Sequence, residues 1–158
     1  MVTGGARGVG RAIVDRLAAA PDTALVVVID RDAEAEVGPR VATVTGDATD
    51  EAVAEEAADR AEAAAPLRGW VNNAAVFRDA SIDDPAAVLD AVATNLALAV
   101  VGCATAVRRF RAAGTGGAIV NVSSHQAQRA VRGALPDATA KAAVEGLTRR
   151  GRHARPSR

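Results

Sequence analysis

The stretch from Thr3 to Gly10 reads TGGARGVG, and it lies between a short apolar stub and an amphipathic pattern that predicts a helix from about Gly8. A glycine-rich turn between a strand and a helix lets the backbone approach a pyrophosphate, and the helix N-terminus offers unpaired amides. The spacing is not that of a P-loop, because no Gly-Lys-Ser/Thr follows. It is not G-x-G-x-x-G either, because the spaced glycines are Gly4, Gly8 and Gly10. The stretch predicts either a phosphate-binding turn or a glycine-rich loop that only turns the chain.

Asp30 supports the first alternative, because it ends the apolar run ALVVVID and lies 20 residues after Gly10. Dinucleotide-binding folds place an acid at this position, where it accepts hydrogen bonds from the adenosine ribose hydroxyls. The carboxylate would repel the extra phosphate of NADP, whereas Arg31 and Arg7 could attract it. The pattern favours NAD over NADP. The alternative for Asp30 is a turn residue at the end of a strand.

Runs of β-branched residues alternate with alanine-rich stretches along the whole chain. This alternation is typical of a doubly wound α/β fold, a parallel sheet with helices on both faces. The predicted strands are 1–3, 24–30, 41–47, 69–74 and 118–123. Predicted helices start near residues 8 and 137, include 96–107, and cover 50–65 as a solvated crossover helix. The apolar faces predicted for three of them are Val9, Ile13 and Leu17; Leu96, Val100, Ala104 and Val107; and Ala140, Val144 and Leu147.

Composition points to an ordinary soluble domain, since 49% of the 158 residues are hydrophobic and 24% are charged. Lysine plus arginine equals aspartate plus glutamate, at 19 each, so no net field favours nucleic acid or an anionic membrane. The single cysteine, Cys103, excludes an internal disulfide. The N-terminus has no signal-peptide pattern, and the apolar segment 96–107 is shorter than the about 20 residues that span a bilayer. We expect a cytoplasmic protein without a metal site and without nucleic-acid or membrane partners.

Further polar and glycine motifs follow in order: Thr3-Gly4, Gly8 and Gly10, Asn72-Asn73-Ala74, Asn95, Val120 to Ser124, and Lys141. Their order and spacing resemble the successive motifs of short-chain dehydrogenases/reductases over residues 3–148. The resemblance implies a Rossmann-type, nucleotide-binding domain over residues 1–148. It also implies an oxidoreductase that transfers hydride between NAD, or less readily NADP, and a small-molecule alcohol or carbonyl substrate. A homodimer or homotetramer is implied as well, through the helices that contain residues 95–111 and 137–150.

The resemblance also assigns individual site residues. Cofactor contacts fall on Thr3, Gly4, Arg7, Gly8, Val9, Gly10, Asp30, Asp47, Ala48, Asn72, Ala74 and Lys141. Among these, Asp47 would lie against the adenine and Lys141 would hold the nicotinamide ribose. Ser124 resembles the serine that hydrogen-bonds the substrate oxygen, and Asn95 resembles the asparagine that supports a proton-relay water.

Asp137 stands where the family has its catalytic tyrosine, 13 residues after Ser124 and four before Lys141, and the chain contains no tyrosine. A proton donor for carbonyl reduction needs a pKa near the working pH. The ordinary pKa of a phenol is about 10 and must be lowered to reach that range, whereas the ordinary pKa of a carboxyl group is about 4 and must be raised. We expect an ionised, satisfied carboxylate at the helix start, paired with Lys141, and His125 is a weaker candidate for the missing acid. The chain is then either a weakly active oxidoreductase, a catalytically inactive dinucleotide-binding or interaction module, or a non-functional fragment.

The last ten residues, RRGRHARPSR, form a basic segment where the family continues through another strand and a substrate-covering loop. We expect residues 149–158 to be a disordered tail, and the chain to be truncated so that the fold is incomplete at its C-terminal side. The sequence names neither the substrate nor the direction of the reaction.

Overall fold

The computed structural model describes residues 1–32, 38–129 and 131–151. These residues form two compact units. The first unit consists of Met1–Ala75 and Leu98–Val120, and the second consists of Val76–Ala97 together with the described residues from 121 onward.

A parallel sheet is the framework of the first unit. Its strands are β1 (Val2–Thr3), β2 (Val26–Asp30), β3 (Val41–Thr45), β4 (Gly69–Asn72) and β5 (Ala118–Asn121). The strand order is β3-β2-β1-β4-β5, and β1 pairs with β2 on one side and with β4 on the other. The chain therefore reverses its direction of winding at β1, as in a Rossmann sheet, and this is where such sheets bind ligands. The predicted doubly wound parallel fold is confirmed.

The core of the first unit forms where these strands meet helix α1, which is Gly8–Ala18. Val2 of β1, Val14 of α1 and two valines of β2, Val26 and Val28, are buried against one another. Strand β2 is buried on both faces, which explains why its sequence is a continuous apolar run and does not alternate.

Helix α1 packs with only part of the face that the sequence predicted, because Ile13 alone of the three predicted residues lies against the core cluster. Val9 and Leu17 are exposed, while the buried residues of the helix are Gly10 and Val14. The reason is the close packing of Gly10 against the glycine-rich turn, which fixes the helix rotation and leaves no room for a side chain at that position.

Helix α2 (Glu51–Glu62) begins after Asp50, whose side chain caps it by accepting a hydrogen bond from the Ala52 amide at 2.8 Å. The prediction of a solvated helix is only half right, because one face is buried. The buried face consists of Ala54, Ala57, Ala58 and Ala61. Alanine is common on both buried and exposed faces of helices, so the sequence did not show this face as an apolar stripe.

Helix α3 (Pro85–Ala113) has 29 residues and is longer than the sequence predicted. Val100 of the predicted apolar face is exposed, whereas Leu98, Ala106 and Phe110 are buried. Within the first unit, Gly102 lies against the side chains of Asn72 and Trp70. The side of α3 that packs against β4 therefore contains this glycine and not Val100.

By length and composition, helix α3 could also cross a membrane. One 18-residue window has a mean hydropathy of 1.9, and 33% of that window is buried. Core helices of soluble proteins pass the same test, and α3 is the one described helix that meets it. The expected absence of a membrane partner therefore stays a prediction.

The second unit contains a short 3-10 helix, His125–Ala127, and helix α4, Leu135–Gly151. Ala140 and Val144 are buried, which agrees with the predicted face of α4. Helix α4 continues past the boundary predicted at residue 149 and ends at Gly151, while the division into a domain and a tail stays a prediction. Arginine is a good helix former, and the Arg149 side chain lies 3.7 Å from the Glu145 carboxylate one turn earlier. The rest of the expected tail, residues 152–158, lies outside the described residues.

Candidate functional site

The glycine-rich turn connects β1 to α1 in the first unit. Gly4 and Gly8 have positive φ angles of 66° and 57°, a region that strongly favours glycine. A Cβ atom at Gly8 would have no atom within 4 Å, so the backbone there faces open space. A Cβ atom at Gly4 would lie 2.8 Å from the Cα atom of Ala74, so the turn is held close to the end of β4.

The start of α1 is suited to an anion. Arg7 occupies the N-cap position, but its side chain makes no capping hydrogen bond. The amides of the first helical turn are therefore not satisfied by a side-chain cap, and they add to the positive end of the helix dipole. Gly10 in this turn packs against the carbonyl oxygen of Gly4 and the side-chain nitrogen of Asn73.

Thr3 and Asn73 fix the turn to the end of β4. The buried hydroxyl oxygen of Thr3 accepts hydrogen bonds from the amides of Asn73 and Ala74, both at 3.0 Å. The Asn73 side chain in turn donates to the carbonyl oxygens of Thr3 at 3.1 Å and of Gly4 at 2.9 Å. Sequence reasoning assigned no role to Asn73 alone, although two adjacent polar residues after an apolar strand were a signal that it could have used.

The side chain of Asn72 lies between strand β4 and helix α3 in the first unit. The side chain is buried, accepts a hydrogen bond from the Trp70 indole at 2.8 Å, and donates to the carbonyl oxygen of Ala99 at 3.3 Å and to the sulfur of Cys103 at 3.4 Å. These contacts tie β4 to α3.

Asp30 is tied directly to the glycine-rich turn. One carboxylate oxygen accepts a hydrogen bond from the Ala6 amide at 2.9 Å, and the other accepts from the Asp32 amide at 3.2 Å. Each oxygen keeps a further lone pair for a hydroxyl donor. Arg7, which could have attracted a phosphate, is exposed and lies 3.5 Å from the Asp32 carboxylate.

Asp47 follows β3 and is exposed, while its neighbour Ala48 is buried. Hydrogen bonds from the Thr49 amide at 2.9 Å and the Thr49 hydroxyl at 2.8 Å lower the pKa of Asp47, with a smaller contribution from the charge of Arg31. The carboxylate is thus held ionised in a turn at the edge of the sheet where the strands end.

Asn95 lies in the second unit and is 6% exposed. Its side-chain oxygen accepts from the Val76 amide at 2.9 Å, and its nitrogen donates to the carbonyl oxygens of Val76 at 2.9 Å and Ala91 at 3.0 Å. Both amide hydrogens are therefore engaged, one with the segment at Val76 and the other with the Ala91 carbonyl oxygen one turn earlier in α3. A role of Asn95 in a proton relay would therefore have to use a group other than its side-chain amide hydrogens.

Asp137 and Lys141 lie in the first two turns of α4, and both are buried, at 7% and 8% exposure. The Lys141 ammonium donates to the Val122 carbonyl oxygen at 2.9 Å. Burial lowers the pKa of Lys141, and the nearby Asp137 carboxylate opposes this shift. Among the described residues, no partner accepts or donates a hydrogen bond at Oδ1 of Asp137.

The expectation of a satisfied helix-start carboxylate is therefore wrong at Oδ1, and the expected pairing with Lys141 is limited to an electrostatic interaction that raises the pKa of the lysine. No ion pair within 4.0 Å joins Asp137 to a described cation, since the Lys141 ammonium is directed to the carbonyl oxygen of Val122. One carboxylate oxygen of Asp137 is thus buried without a hydrogen-bond partner in the part of the chain that the structure describes.

Ser124 begins the 3-10 helix, and its hydroxyl oxygen accepts a hydrogen bond from the Gln126 amide at 3.3 Å. His125 is exposed, and no contact places its ring beside Asp137 or Lys141 in the described residues. Sequence reasoning missed Glu145, which accepts hydrogen bonds from Ser123 and Gln128 on either side of this short helix. Its position one helical turn after Lys141 was the available signal.

Comparison with known proteins gives a consistent result. The family model described as short chain dehydrogenase matches residues 1–156. A curated relative, 3beta-hydroxysteroid dehydrogenase 2 of Eggerthella lenta, is 32% identical, and the match covers 94% of this chain and 62% of that protein. The chain thus spans 62% of the length of this relative.

Two solved structures have the same fold. The apo form of LigO from Sphingobium sp. strain SYK-6 superposes with a TM-score of 0.85 at 26% identity, over 98% of this chain and 62% of that one. A short-chain dehydrogenase from Streptomyces avermitilis has a TM-score of 0.78 at 26% identity, over 94% of this chain and 57% of that one.

Proposed function

Because the chain belongs to the short-chain dehydrogenase family, we propose that it binds a nicotinamide dinucleotide at the turn between β1 and α1 and acts in hydride transfer with an alcohol or carbonyl substrate. The observation that carries the proposal is the turn itself. It leaves the point where the strand order reverses, it has open space at Gly8, and it leads into a helix start without a side-chain cap. These are the features that accept a pyrophosphate.

The residues of the first unit divide the binding between them. Gly8 and the amides after it hold the phosphates, Thr3 and Asn73 hold the turn in shape, and Asp30 accepts hydrogen bonds from the adenosine ribose. A nicotinamide dinucleotide supplies the hydride donor or acceptor, which no side chain of the protein can replace. The roles of Ser124 at the substrate oxygen, Lys141 at the nicotinamide ribose and Asn95 in a proton relay follow the family resemblance.

NAD is the proposed cofactor, in preference to NADP. The Asp30 carboxylate stands beside the turn, and Arg7, the nearest cation in the turn, is paired with Asp32. A 2′-phosphate would meet the negative charge of Asp30.

Titration with NADH and NADPH, followed by the fluorescence of the reduced nicotinamide, tests this preference. The wild-type protein should bind NADH more tightly, and Asp30→Asn, which keeps an acceptor for the Ala6 amide, should reduce that preference about tenfold. Asp15→Asn, at an exposed residue of α1 that pairs with Arg11, is the matched control and should leave the preference unchanged. Equal binding of both cofactors by the wild-type protein would remove the NAD assignment.

A second candidate function is a catalytically inactive dinucleotide-binding module, and one observation favours it. The chain has no tyrosine, and Asp137, at the position that the family resemblance assigns to a catalytic tyrosine, is buried with an oxygen that has no partner among the described residues. The two candidates share the binding site and differ only in turnover.

The substitution Asp137→Tyr discriminates between the two candidates. Oxidation of NADH is measured with a panel of small aldehydes, ketones and steroid ketones for wild-type protein and variant. Turnover by the wild-type protein supports the oxidoreductase. Turnover by the variant alone identifies Asp137 as the defect, and turnover by neither, with NADH still bound, supports the inactive module.

The location, the partners and the oligomeric state of the protein are further predictions. We predict a cytoplasmic location, no nucleic-acid or membrane partner, and assembly as a homodimer or homotetramer. Sedimentation of the purified chain would decide the oligomeric state.

A further inference from the structure

A polar stripe runs along helix α4 in the second unit. Lys141, Glu145 and Thr148 lie at positions i, i+4 and i+7, which share one face of a helix. Each binds one of three consecutive residues at the end of β5 and just beyond it. Thr148 accepts from Asn121 at 2.9 Å, Lys141 donates to the carbonyl oxygen of Val122 at 2.9 Å, and Glu145 accepts from the hydroxyl of Ser123 at 3.1 Å.

Glu145 differs from the other two residues because it also reaches past the 3-10 helix. The Gln128 side chain donates to its two carboxylate oxygens, at 3.4 and 3.3 Å. One carboxylate therefore holds both ends of the segment from Ser123 to Gln128, which contains Ser124. The side chain of Glu145 is itself only 25% exposed, and its contact with Ser123 is partly buried, whereas its contacts with Gln128 are exposed.

We propose that Glu145 is a positioning residue for Ser124, holding the serine turn through Ser123 and Gln128. The inference rests on the proposed function, which assigns Ser124 to the substrate oxygen. Lys141 and Thr148 fix the strand end, and Glu145 alone among the three also fixes the far side of the turn. Hydrogen bonds to a charged acceptor are stronger than neutral ones, so a carboxylate is well suited to this role.

Amide hydrogen exchange of the full chain tests the proposal at Gln126, whose amide donates to the Ser124 hydroxyl oxygen. In Glu145→Leu, exchange at Gln126 should become about tenfold faster, while amides in β2 keep their wild-type rates. Glu145→Gln keeps an oxygen that accepts from Ser123, so exchange should stay within about twofold of the wild type. The matched control is Arg149→Gln, because Arg149 is exposed and lies 3.7 Å from the same carboxylate without a hydrogen bond to Ser123 or Gln128 among the described residues.

Ser123→Ala tests the same contact from the other side, and it serves if Glu145→Leu does not fold. It should also speed exchange at Gln126, because it removes the hydroxyl that donates to Glu145. Unchanged exchange at Gln126 in Ser123→Ala, or equal acceleration in Arg149→Gln, would overturn the proposal. Titration of the same proteins with NADH reports separately on the proposed function. Loss of NADH binding with the exchange pattern intact would count against that function and not against the role of Glu145.

Discussion

The glycine-rich turn of the first unit and the start of α4 in the second unit differ in how their buried polar groups are satisfied. In the turn, the hydroxyl of Thr3 and the side chain of Asn73 each make two hydrogen bonds to backbone groups. At the start of α4, Oδ1 of Asp137 is buried with no partner among the described residues. The turn has a closed hydrogen-bond network, whereas α4 has an unsatisfied oxygen at the position that the family resemblance assigns to a catalytic tyrosine. We therefore expect dinucleotide binding and catalysis to be separable properties of this chain.

The largest effect should follow from closing the space at Gly10. In Gly10→Val the new side chain would collide with the Gly4 carbonyl and with Asn73, so we expect a loss of about 3 kcal/mol in the free energy of unfolding. Urea unfolding followed by circular dichroism measures it. Gly8→Ala is the control, because a Cβ atom there meets no atom within 4 Å and only the positive φ is penalised, by about 1 kcal/mol. Equal losses in the two variants would contradict the packing described for Gly10.

A smaller loss should follow from Thr3→Val, which keeps the shape of the side chain and removes the acceptor of two amides. Leaving the Asn73 and Ala74 amides unpaired should lower the free energy of unfolding by about 2 kcal/mol. Thr3→Ser keeps the hydroxyl and should lose less than half as much. The same urea titration compares the three proteins, and a Val variant as stable as the Ser variant would show that the hydroxyl does not hold the turn.

In the second unit, the corresponding prediction concerns the pKa of Lys141, which burial lowers and the Asp137 carboxylate raises. Asp137→Asn removes the raising charge, so the pKa of Lys141 should fall further. Lys141 is the only lysine in the chain, so ¹³C-lysine labelling gives a single titrating signal. Asp90→Asn, which breaks an exposed pair with Arg78, should leave that signal unchanged. A rise of the pKa in Asp137→Asn would contradict the placement of the carboxylate near Lys141.

The same lowered pKa sets the sign of a pH effect on stability. The folded protein binds the Lys141 proton less tightly than the unfolded chain, whose ordinary pKa is 10.5. Lys141 therefore destabilises the fold below its folded pKa, and this penalty fades as the pH rises from the folded pKa to 10.5. Lys141→Met should remove that dependence in urea titrations across the alkaline range, and an unchanged pH profile would argue against it.

The smallest effect belongs to an ion-pair network of the first unit. Arg109 of α3 lies 2.7 Å from the Asp59 carboxylate and 3.0 Å from that of Glu62, and it also pairs with Glu55. Arg109→Met should lower the free energy of unfolding by about 1 kcal/mol at low salt and by less at high salt, because these groups are partly exposed. Urea titrations at low and high sodium chloride measure the difference. A loss that does not depend on salt would point to packing of the side chain rather than to its charge.

The strands could be predicted from sequence because buried parallel strands are continuous apolar runs, and Val26–Asp30 is such a run. The glycine-rich turn was equally visible, since its residues are set by backbone conformation. Helix faces were harder to predict. In α1 and α3 the closest contacts are made by Gly10 and Gly102, which carry no hydrophobic signal.

The candidate site divides in the same way. The position of Asp30 beside the turn could be expected from its spacing alone, because a strand end next to a β-α turn fixes where the carboxylate lies. The partners of Lys141 and Asp137 could not be expected, because the choice between a carboxylate and the Val122 carbonyl oxygen depends on side-chain geometry that spacing does not encode. Glu145 was missed for the same reason.

The central claim is that the chain binds a dinucleotide although residue 137 is an aspartate and not a tyrosine. Calorimetric titration of NADH into the wild-type chain and into Asp137→Tyr tests this claim most directly. We expect one saturable site with the same affinity in both proteins, because the groups proposed to hold the phosphates and the adenosine ribose lie in the first unit. Binding that is absent from a folded wild-type protein, or that appears only in the tyrosine variant, would contradict it.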